Sequence, residues 1–277
     1  MKVTQNFDWK ETKRKLVVFM PNHRVKEYVE FSISKIQTIL PENDWLIVIG
    51  NDNCDDKFDH LYDQNVRYFT INTDSDEYRN GCFIRNWAIK RCQSELFFQK
   101  DGEVVILGDF MHSFVSMRYP AFRCGYIFVL NDGGTKDFMS GSMPDPNRWN
   151  AICTRRVQMF IPDYPEEARD EIAAADGKVN YSTYFHYGFG VETGVLQSMH
   201  GYDEDFNQYG WEDSDMICRL IAMGVHLVPD YSLAAVHPNH PRQKVKFQIM
   251  ANSMKTIFLS RNPRQFIRNP IRWGEGE

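Results

Sequence analysis

The sequence has no apolar run close to the roughly 20 residues that a membrane-spanning helix needs. Its N-terminal stretch, MKVTQNFDWKETKRK, is polar and lacks the apolar segment of a secretory signal. The six cysteines are scattered, and no Cys-x-x-Cys pair occurs among them. These absences favour a reduced, cytoplasmic protein.

An excess of positive charge is also missing. The net charge is −5, which argues against nucleic acid as the main partner. What remains is the composition of an ordinary globular protein, with 43% hydrophobic and 25% charged residues. A chain of 277 residues can bury a sizeable core, either as one large α/β domain with an appendage or as two small domains.

Short apolar runs alternate with helical patterns in the first half of the chain. The runs that predict buried strands are Lys15–Met20, Trp45–Ile49, Val66–Ile71 and Leu96–Phe98. Helical periodicity begins at Val25 and again at Gly81. This alternation predicts an α/β fold with a mostly parallel sheet, in which ligands bind at the carboxyl ends of the strands. Polar clusters follow three of these strands, at residues 22–24, 52–53 and 101–103.

The most informative segment is GYDEDFNQYGWEDSDMICR, residues 201–219. Glu212, Asp213 and Asp215 follow a Gly-Trp turn and precede an apolar run with helical spacing, so they occupy the first turn of a helix. One interpretation is that these acids complement the helix dipole. The other is that a carboxylate at a turn-to-helix junction acts as a general base facing a cleft.

The rest of the second half is less regular. Residues 131–150 are rich in Gly, Pro, Asp and Asn and predict a binding loop or lid, and residues 165–175 predict a short helix. After Pro241 the chain carries eight Lys and Arg residues against two acids. We interpret this stretch as a basic helical tail packed on the domain. Contact with the inner face of an anionic membrane or with a lipid-linked acceptor is the alternative.

Read in order, six segments resemble those of the nucleotide-sugar-dependent glycosyltransferases of the GT-A fold. They are LVVFMPNHR, IVIGNDN, GCFIRNWAIKRC, LFFQKDGEVV, GYDEDFNQYGWEDSD and VHPNH. The nearest likeness is to the inverting family 2 enzymes and to the Glu-Asp motif of the β-1,4-galactosyltransferases. The resemblance covers Leu16 to His240.

The resemblance implies a GT-A domain over residues 1–240, with a nucleotide-binding half (1–105) and an acceptor-binding half (106–240). Residues 241–277 form the basic tail. It further implies transfer of a hexose or N-acetylhexosamine from a UDP-sugar to a glycan hydroxyl, in surface polysaccharide or glycoconjugate synthesis. The expected partners are therefore a nucleotide sugar and a glycan acceptor.

The resemblance also places the donor site. Its implied donor-binding residues are Pro21, Asn22, Arg24, Asp52, Arg85, Lys100, Asp101 and Gly188. A divalent cation neutralises the diphosphate, and an imidazole ligand favours Mn²⁺ over Mg²⁺.

The implied metal ligands are Asp101 and His237, with Glu103 and His240 as alternatives. One residue departs from the family pattern, because Gln99 stands where the first acid of Asp-x-Asp is expected.

On the acceptor side, the resemblance assigns the general base to Asp213. Glu212 is assigned to orienting acceptor hydroxyls, because adjacent helical residues point in different directions. Trp211 and Tyr187 complete the implied acceptor site.

Three alternatives stay open from the sequence: a retaining GT-A transferase, a non-catalytic nucleotide-sugar or glycan-binding module, and a nucleotidyltransferase. The last is disfavoured because MPNHRVKEY lacks a glycine-rich phosphate loop after the first strand.

Overall fold

A computed structural model describes the greater part of the chain. The described residues are 2–40, 44–72, 81–107, 114–115, 121–130, 132–142, 188–239, 244–262, 264–269 and 273–275. The predicted helix at residues 165–175, residues 131 and 143–150 of the predicted loop, and the site residues Tyr187 and His240 lie outside them. The prediction of a loop is wrong for Asp132–Met139, which form an α-helix.

The described strands form one nine-stranded sheet in the order β1-β4-β3-β2-β5-β8-β7-β9-β6. Their bounds are β1 Lys2–Gln5, β2 Leu16–Asn22, β3 Trp45–Asp52, β4 Val66–Asn72, β5 Leu96–Lys100, β6 Val105–Leu107, β7 Ala121–Val129, β8 Gly188–Glu192 and β9 His226–His237. The described α-helices are α1 Lys26–Ile36, α2 Gly81–Arg91, α3 Asp132–Met139, α4 Thr193–Ser198, α5 Glu212–Ala222 and α6 Lys244–Ser260. Two 3-10 helices span Trp9–Thr12 and Asp59–Gln64.

The centre of the sheet is parallel, as the sequence predicts. β4, β3, β2 and β5 are parallel neighbours, and β7 is parallel to β9. β1, β6 and β8 pair antiparallel with their neighbours. The α/β class with helices flanking a mostly parallel central sheet is therefore confirmed. Because β5 pairs with β8, strands from both predicted halves of the domain share this sheet.

The strands read as continuous apolar runs because both faces of the sheet are covered. On β2, Leu16 and Val18 pack in one core with residues of α1, whereas Val17 and Phe19 pack in the other with residues of α2 and α5. Several polar residues at the ends of the central strands are therefore buried, among them Asn22, Asp52 and Lys100. His23 and Arg24, after β2, are exposed.

The basic tail begins with α6, as expected, and its Met254 and Phe258 join the core that contains α5. Residues after α6 return to the same core, where Trp273 is buried. The side chains of Cys54, Cys82, Cys92 and Cys218 are buried. In the described part of the chain, every helix is too short or too polar to cross a bilayer.

Candidate functional site

The turn after β5 carries the first candidate side chains. Lys100 is fully buried, and its Nζ donates hydrogen bonds to the carbonyl oxygens of Asp101 at 2.8 Å and Gly102 at 3.3 Å. Burial lowers the pKa of Lys100 to about 7, against the opposing effect of the nearby acids. The contacts that this lysine makes are therefore with the backbone of the turn. Its predicted contact with the donor stays a prediction.

The same turn is pressed against the end of β2. A Cβ atom on Gly102 would stand 2.4 Å from the carbonyl oxygen of Pro21, so only glycine fits this approach without a shift. Asp101 is thereby held beside the end of β2. The predicted donor residues Pro21 and Asp101 thus meet at one end of the sheet.

Arg85, on α2, connects this turn to the acidic helix. It is buried, with Nη2 3.3 Å from Asp101 Oδ1 and Nη1 3.9 Å from Glu212 Oε1. Its guanidinium carbon lies 5.3 Å from the centre of the Tyr202 ring. One cation is therefore shared between the turn after β5 and the first residue of α5. The sequence predicted both acids, and the structure brings them together around Arg85.

Glu212 and Asp213 open α5 after a strained turn. Gly210 and Trp211 both have left-handed backbones, with φ of 102° and 72°, and a bulky residue such as Trp rarely adopts that conformation. Both carboxylates are buried. Burial and then the neighbouring Asp213 raise the pKa of Glu212 to about 7, while Arg85 acts in the opposite direction. Backbone strain of this kind is found where the surroundings fix a particular geometry.

In the described part of the chain, three buried polar atoms of this cluster have no hydrogen-bond partner. They are Arg85 Nε, Glu212 Oε2 and Asp213 Oδ1, whereas the Tyr202 and Gln99 side chains interact with each other. Buried polar atoms are almost always paired in folded proteins, because leaving one unpaired costs roughly 1–3 kcal/mol. Three unpaired atoms in one cluster therefore indicate a site that a polar ligand or water fills.

The other acids of the same segment are differently placed. Asp215 accepts a hydrogen bond from Arg219 Nε at 2.7 Å, and Arg219 is fully buried. Asp203 lies 2.9 Å from Arg261 Nε, and Asp205 also contacts Arg261. Asp203, Asp205 and Asp215 thus pair with other arginines. Glu212 and Asp213 belong to the cluster around Arg85.

A second pair of predicted residues meets across β6 and β9. His237 Nε2 lies 3.6 Å from Glu103 Oε1, and its Nδ1 lies 2.8 Å from the carbonyl oxygen of Pro238. Because a carbonyl only accepts, Nδ1 carries the proton, and Nε2 faces the carboxylate. Either a proton on Nε2 or a cation between the two groups would satisfy both of them.

This pair fits the ligand chemistry of Mn²⁺ or Mg²⁺ as part of a site that a diphosphate completes. A histidine whose other nitrogen donates to a carbonyl is the form that binds metals. Among the described residues, no group of three His, Cys, Asp or Glu side chains forms a ready-made metal site. Of the predicted ligands, Glu103 and His237 thus face each other, while Asp101 contacts Arg85.

The predicted nucleotide residues lie at the ends of β2 and β3. Asn22 donates from Nδ2 to Asn51 Oδ1 at 2.7 Å and to Asp56 Oδ2 at 2.9 Å. Asn51 in turn donates to the Asp56 carbonyl at 2.7 Å, and Asp52 is buried beside it at the end of β3. This amide network fixes the loop after β3.

Three further predicted residues can be placed. Arg24 is exposed in a left-handed turn with φ of 54°, and Gly188 is paired with Lys100 across β5 and β8. The ring of Trp211 lies 5.1 Å from that of Phe258 on α6. That contact belongs to packing, and stacking of Trp211 on a sugar remains a prediction.

Sequence reasoning missed Tyr202 and Asn86 as parts of the site. Asn86 is fully buried, accepts from the Tyr202 amide at 2.7 Å and donates to the Tyr202 carbonyl at 2.8 Å. A Cβ on the preceding Gly201 would stand 2.1 Å from Asn86 Oδ1, which explains the glycine. The signal available in the sequence was the Arg-Asn pair of α2 and the Gly-Tyr pair before the acids.

A family of known proteins matches the part of the chain that carries the acids. The family model described as the N-terminal domain of galactosyltransferase matches residues 169–240, the segment that contains Tyr202, Glu212, Asp213 and His237. None of the curated proteins compared with this chain matches it in sequence.

Two solved structures share the fold. The crystal structure of S. aureus TarS 1–349 has a TM-score of 0.54 and 13% identity, covering 81% of this chain and 60% of that one. The mannosyltransferase PcManGT from Pyrobaculum calidifontis, in complex with GDP-Man and Mn²⁺, has a TM-score of 0.54 and 11% identity, covering 92% of this chain and 67% of that one. The chain thus spans about three fifths of the TarS structure and two thirds of the mannosyltransferase. The expected resemblance is confirmed: the chain has the GT-A fold, and its family match supports a glycosyltransferase of that type.

Proposed function

We propose that this protein transfers a hexose or N-acetylhexosamine from a UDP-sugar to a hydroxyl group of a glycan acceptor, with inversion at the anomeric carbon. The observation that carries the proposal is Arg85, which contacts Asp101 on one side and Glu212 on the other. A donor diphosphate beside Asp101 and an acceptor beside the acids would then meet in one cavity. The division into halves at residue 105 and a tail from 241 belongs to this proposal.

On the donor side, the leaving UDP concentrates negative charge on its diphosphate. Glu103 and His237, with Asp101 on the same turn as Glu103, would hold the divalent cation. When bound, that cation neutralises the diphosphate as the glycosidic bond breaks. Arg85 adds a fixed, buried positive charge on the same side. The mannosyltransferase that binds GDP-Man and Mn²⁺ supports a nucleotide sugar and a metal, and the galactosyltransferase match favours UDP-sugars.

On the acceptor side, Asp213 takes the proton of the attacking hydroxyl group. The acceptor oxygen bonds to the anomeric carbon as the bond from that carbon to the UDP oxygen breaks. A single in-line displacement inverts the centre, so an α-linked donor gives a β-linked product. The unpaired Asp213 Oδ1 supports this role, because it has an acceptor position to offer an incoming hydroxyl. Glu212, whose pKa burial raises to about 7, hydrogen-bonds the acceptor.

The test is release of UDP from a panel of UDP-sugars with Mn²⁺ and an array of glycan acceptors, with products identified by mass spectrometry. We expect turnover with at least one donor and acceptor, and loss of turnover with Asp213→Asn. The matched control is Asp205→Asn, which changes an exposed acid of the same segment. Nucleotide-sugar binding without turnover across the panel would favour the non-catalytic module. A first-formed product of retained configuration, seen by NMR, would favour the retaining alternative.

A further inference from the structure

The residues that follow α6 contact the segment that precedes Glu212 and Asp213. We call the described residues 261–262, 264–269 and 273–275 the C-terminal clamp. The clamp lies beyond residue 240, outside the segment that matches the galactosyltransferase family. Most of its polar contacts with the rest of the described chain are nevertheless with residues 200–219 and with α2.

Asn269 is the centre of the clamp. It is buried, and its Nδ2 donates to the carbonyl oxygens of His200, at 2.7 Å, and Tyr202. Its Oδ1 accepts from the Glu204 amide at 2.9 Å. A single side chain therefore satisfies three backbone groups of the turn that contains Tyr202. Asn86 satisfies the amide and the carbonyl of Tyr202 from the opposite element, α2.

Two further contacts join the clamp to α5. Arg268 Nη2 lies 3.7 Å from Asp215 Oδ1, two residues after the proposed base. Arg219, one helical turn further on, donates to the Phe266 carbonyl at 3.0 Å. The clamp thus fixes the first two turns of α5 as well as the turn before it.

The end of the clamp ties the same turn to α2. The Trp273 ring stacks on His200 at 5.6 Å, and the Gly274 amide donates to Glu204 Oε1 at 2.9 Å. Lys90 of α2 donates to the Trp273 carbonyl at 2.9 Å. Because α2 also carries Arg85, the clamp joins the helix of the shared cation to the segment of the proposed base.

The segment that the clamp contacts contains several residues with unfavourable backbone conformations. His200, Gly201, Gly210 and Trp211 all have left-handed backbones, with φ between 57° and 102°. Left-handed conformations of non-glycine residues are costly and persist only where the surroundings determine them. Contacts from the clamp supply that determination at one end of the segment.

We propose that the C-terminal clamp, acting through Asn269, positions Tyr202 and the acid pair for the acceptor. Asn269 is a positioning residue, since it contacts the backbone of the segment and not the proposed reacting atoms. This inference rests on the proposed function. It adds that acceptor use depends on a segment outside the family match, whereas binding of the donor nucleotide depends on the far side of Arg85.

The test compares Asn269→Ala with Arg264→Ala, an exposed position of the same clamp. Three quantities are measured: the dissociation constant for UDP with Mn²⁺ by calorimetry, kcat and KM for the acceptor, and hydrogen exchange of peptides that span residues 200–211.

For Asn269→Ala we expect kcat/KM for the acceptor to fall roughly 10- to 100-fold, the loss typical of a misplaced reacting group. UDP affinity should stay within about twofold, and exchange at 200–211 should accelerate. Arg264→Ala should change none of the three.

Unchanged exchange at 200–211 in Asn269→Ala would overturn the positioning role. So would equal losses of UDP affinity and acceptor kcat/KM, which a general loss of folding would produce. A wild-type protein without turnover would instead overturn the proposed function. The exchange measurement would then still decide whether the clamp holds the segment.

Discussion

Asp213 and Asp215 lie two positions apart at the start of α5, but their carboxylates have opposite surroundings. Asp215 pairs with the fully buried Arg219 at 2.7 Å and lies 3.7 Å from Arg268. Asp213 is buried too, and its Oδ1 has no hydrogen-bond partner among the described residues. Two aspartates on one helical turn thus have different roles. The paired acid stabilises the fold, and the unpaired acid is available to a ligand.

The largest expected effect comes from removing the unpaired acid. Asp213→Asn should lower the turnover number by roughly 10³-fold, because a positioned general base contributes on the order of 10²–10⁴. The melting temperature should fall less than in Asp215→Asn, since within the described residues Asp213 makes no ion pair shorter than 4 Å and its charge acts on Arg85 from a greater distance. Steady-state UDP release and calorimetry would check the two halves of this expectation. Retained turnover would exclude Asp213 as the base.

Removing the paired acid should show the reverse pattern. Asp215→Asn leaves the buried Arg219 without its closest carboxylate partner, and breaking one partner of a buried pair costs about 3–5 kcal/mol. Urea unfolding at neutral pH measures the loss, with the exposed Asp205→Asn as the control. Equal stability of Asp215→Asn and wild type would break the comparison between the two acids.

A smaller effect is expected at the donor turn. Gly102→Ala places a Cβ against the Pro21 carbonyl and should displace Asp101 from Arg85, weakening UDP binding with Mn²⁺ by roughly tenfold. Gly194→Ala is the matched control, because nothing lies within 4 Å of a Cβ there. UDP affinity that is equal in both variants would show that the turn does not bind the nucleotide.

The smallest effect concerns pH. The pKa of Glu212 lies above its ordinary value of 4.5, so the folded protein retains a proton that the unfolded chain loses between about pH 4.5 and 7. Stability from this group therefore falls as pH rises through that window. Glu212→Gln removes the dependence, and relative to wild type its melting temperature should rise by on the order of a few degrees between pH 5 and pH 8. A constant difference across that range would contradict the burial argument.

The sequence predicted the parts of the fold that depend on local patterns. Strands predicted at Lys15–Met20 and Trp45–Ile49 are observed at Leu16–Asn22 and Trp45–Asp52, because two-sided burial demands unbroken apolar runs. The acids were correctly placed in the first turn of a helix, because the apolar residues that follow them have helical spacing. Periodicity and capping are properties of neighbouring residues, so they can be read without the fold.

What the sequence did not predict depends on contacts between distant residues. The sequence does not show that the surroundings of Asp215 and Asp213 differ, because Arg268, which lies beside Asp215, is more than 50 positions away. The burial of Lys100 depends on how the turn after β5 closes on β2, and the role of Asn269 depends on the return of the tail to the core. Each of these is a property of packing and not of local pattern.

The most direct test of the central claim is a crystal structure of the protein with UDP and Mn²⁺. The account predicts the diphosphate within hydrogen-bonding distance of Arg85, the cation bound through Glu103 and His237, and Asp213 facing the open side of the same cavity. UDP bound elsewhere, with Arg85 still enclosed between Asp101 and Glu212 and out of contact with the diphosphate, would contradict it.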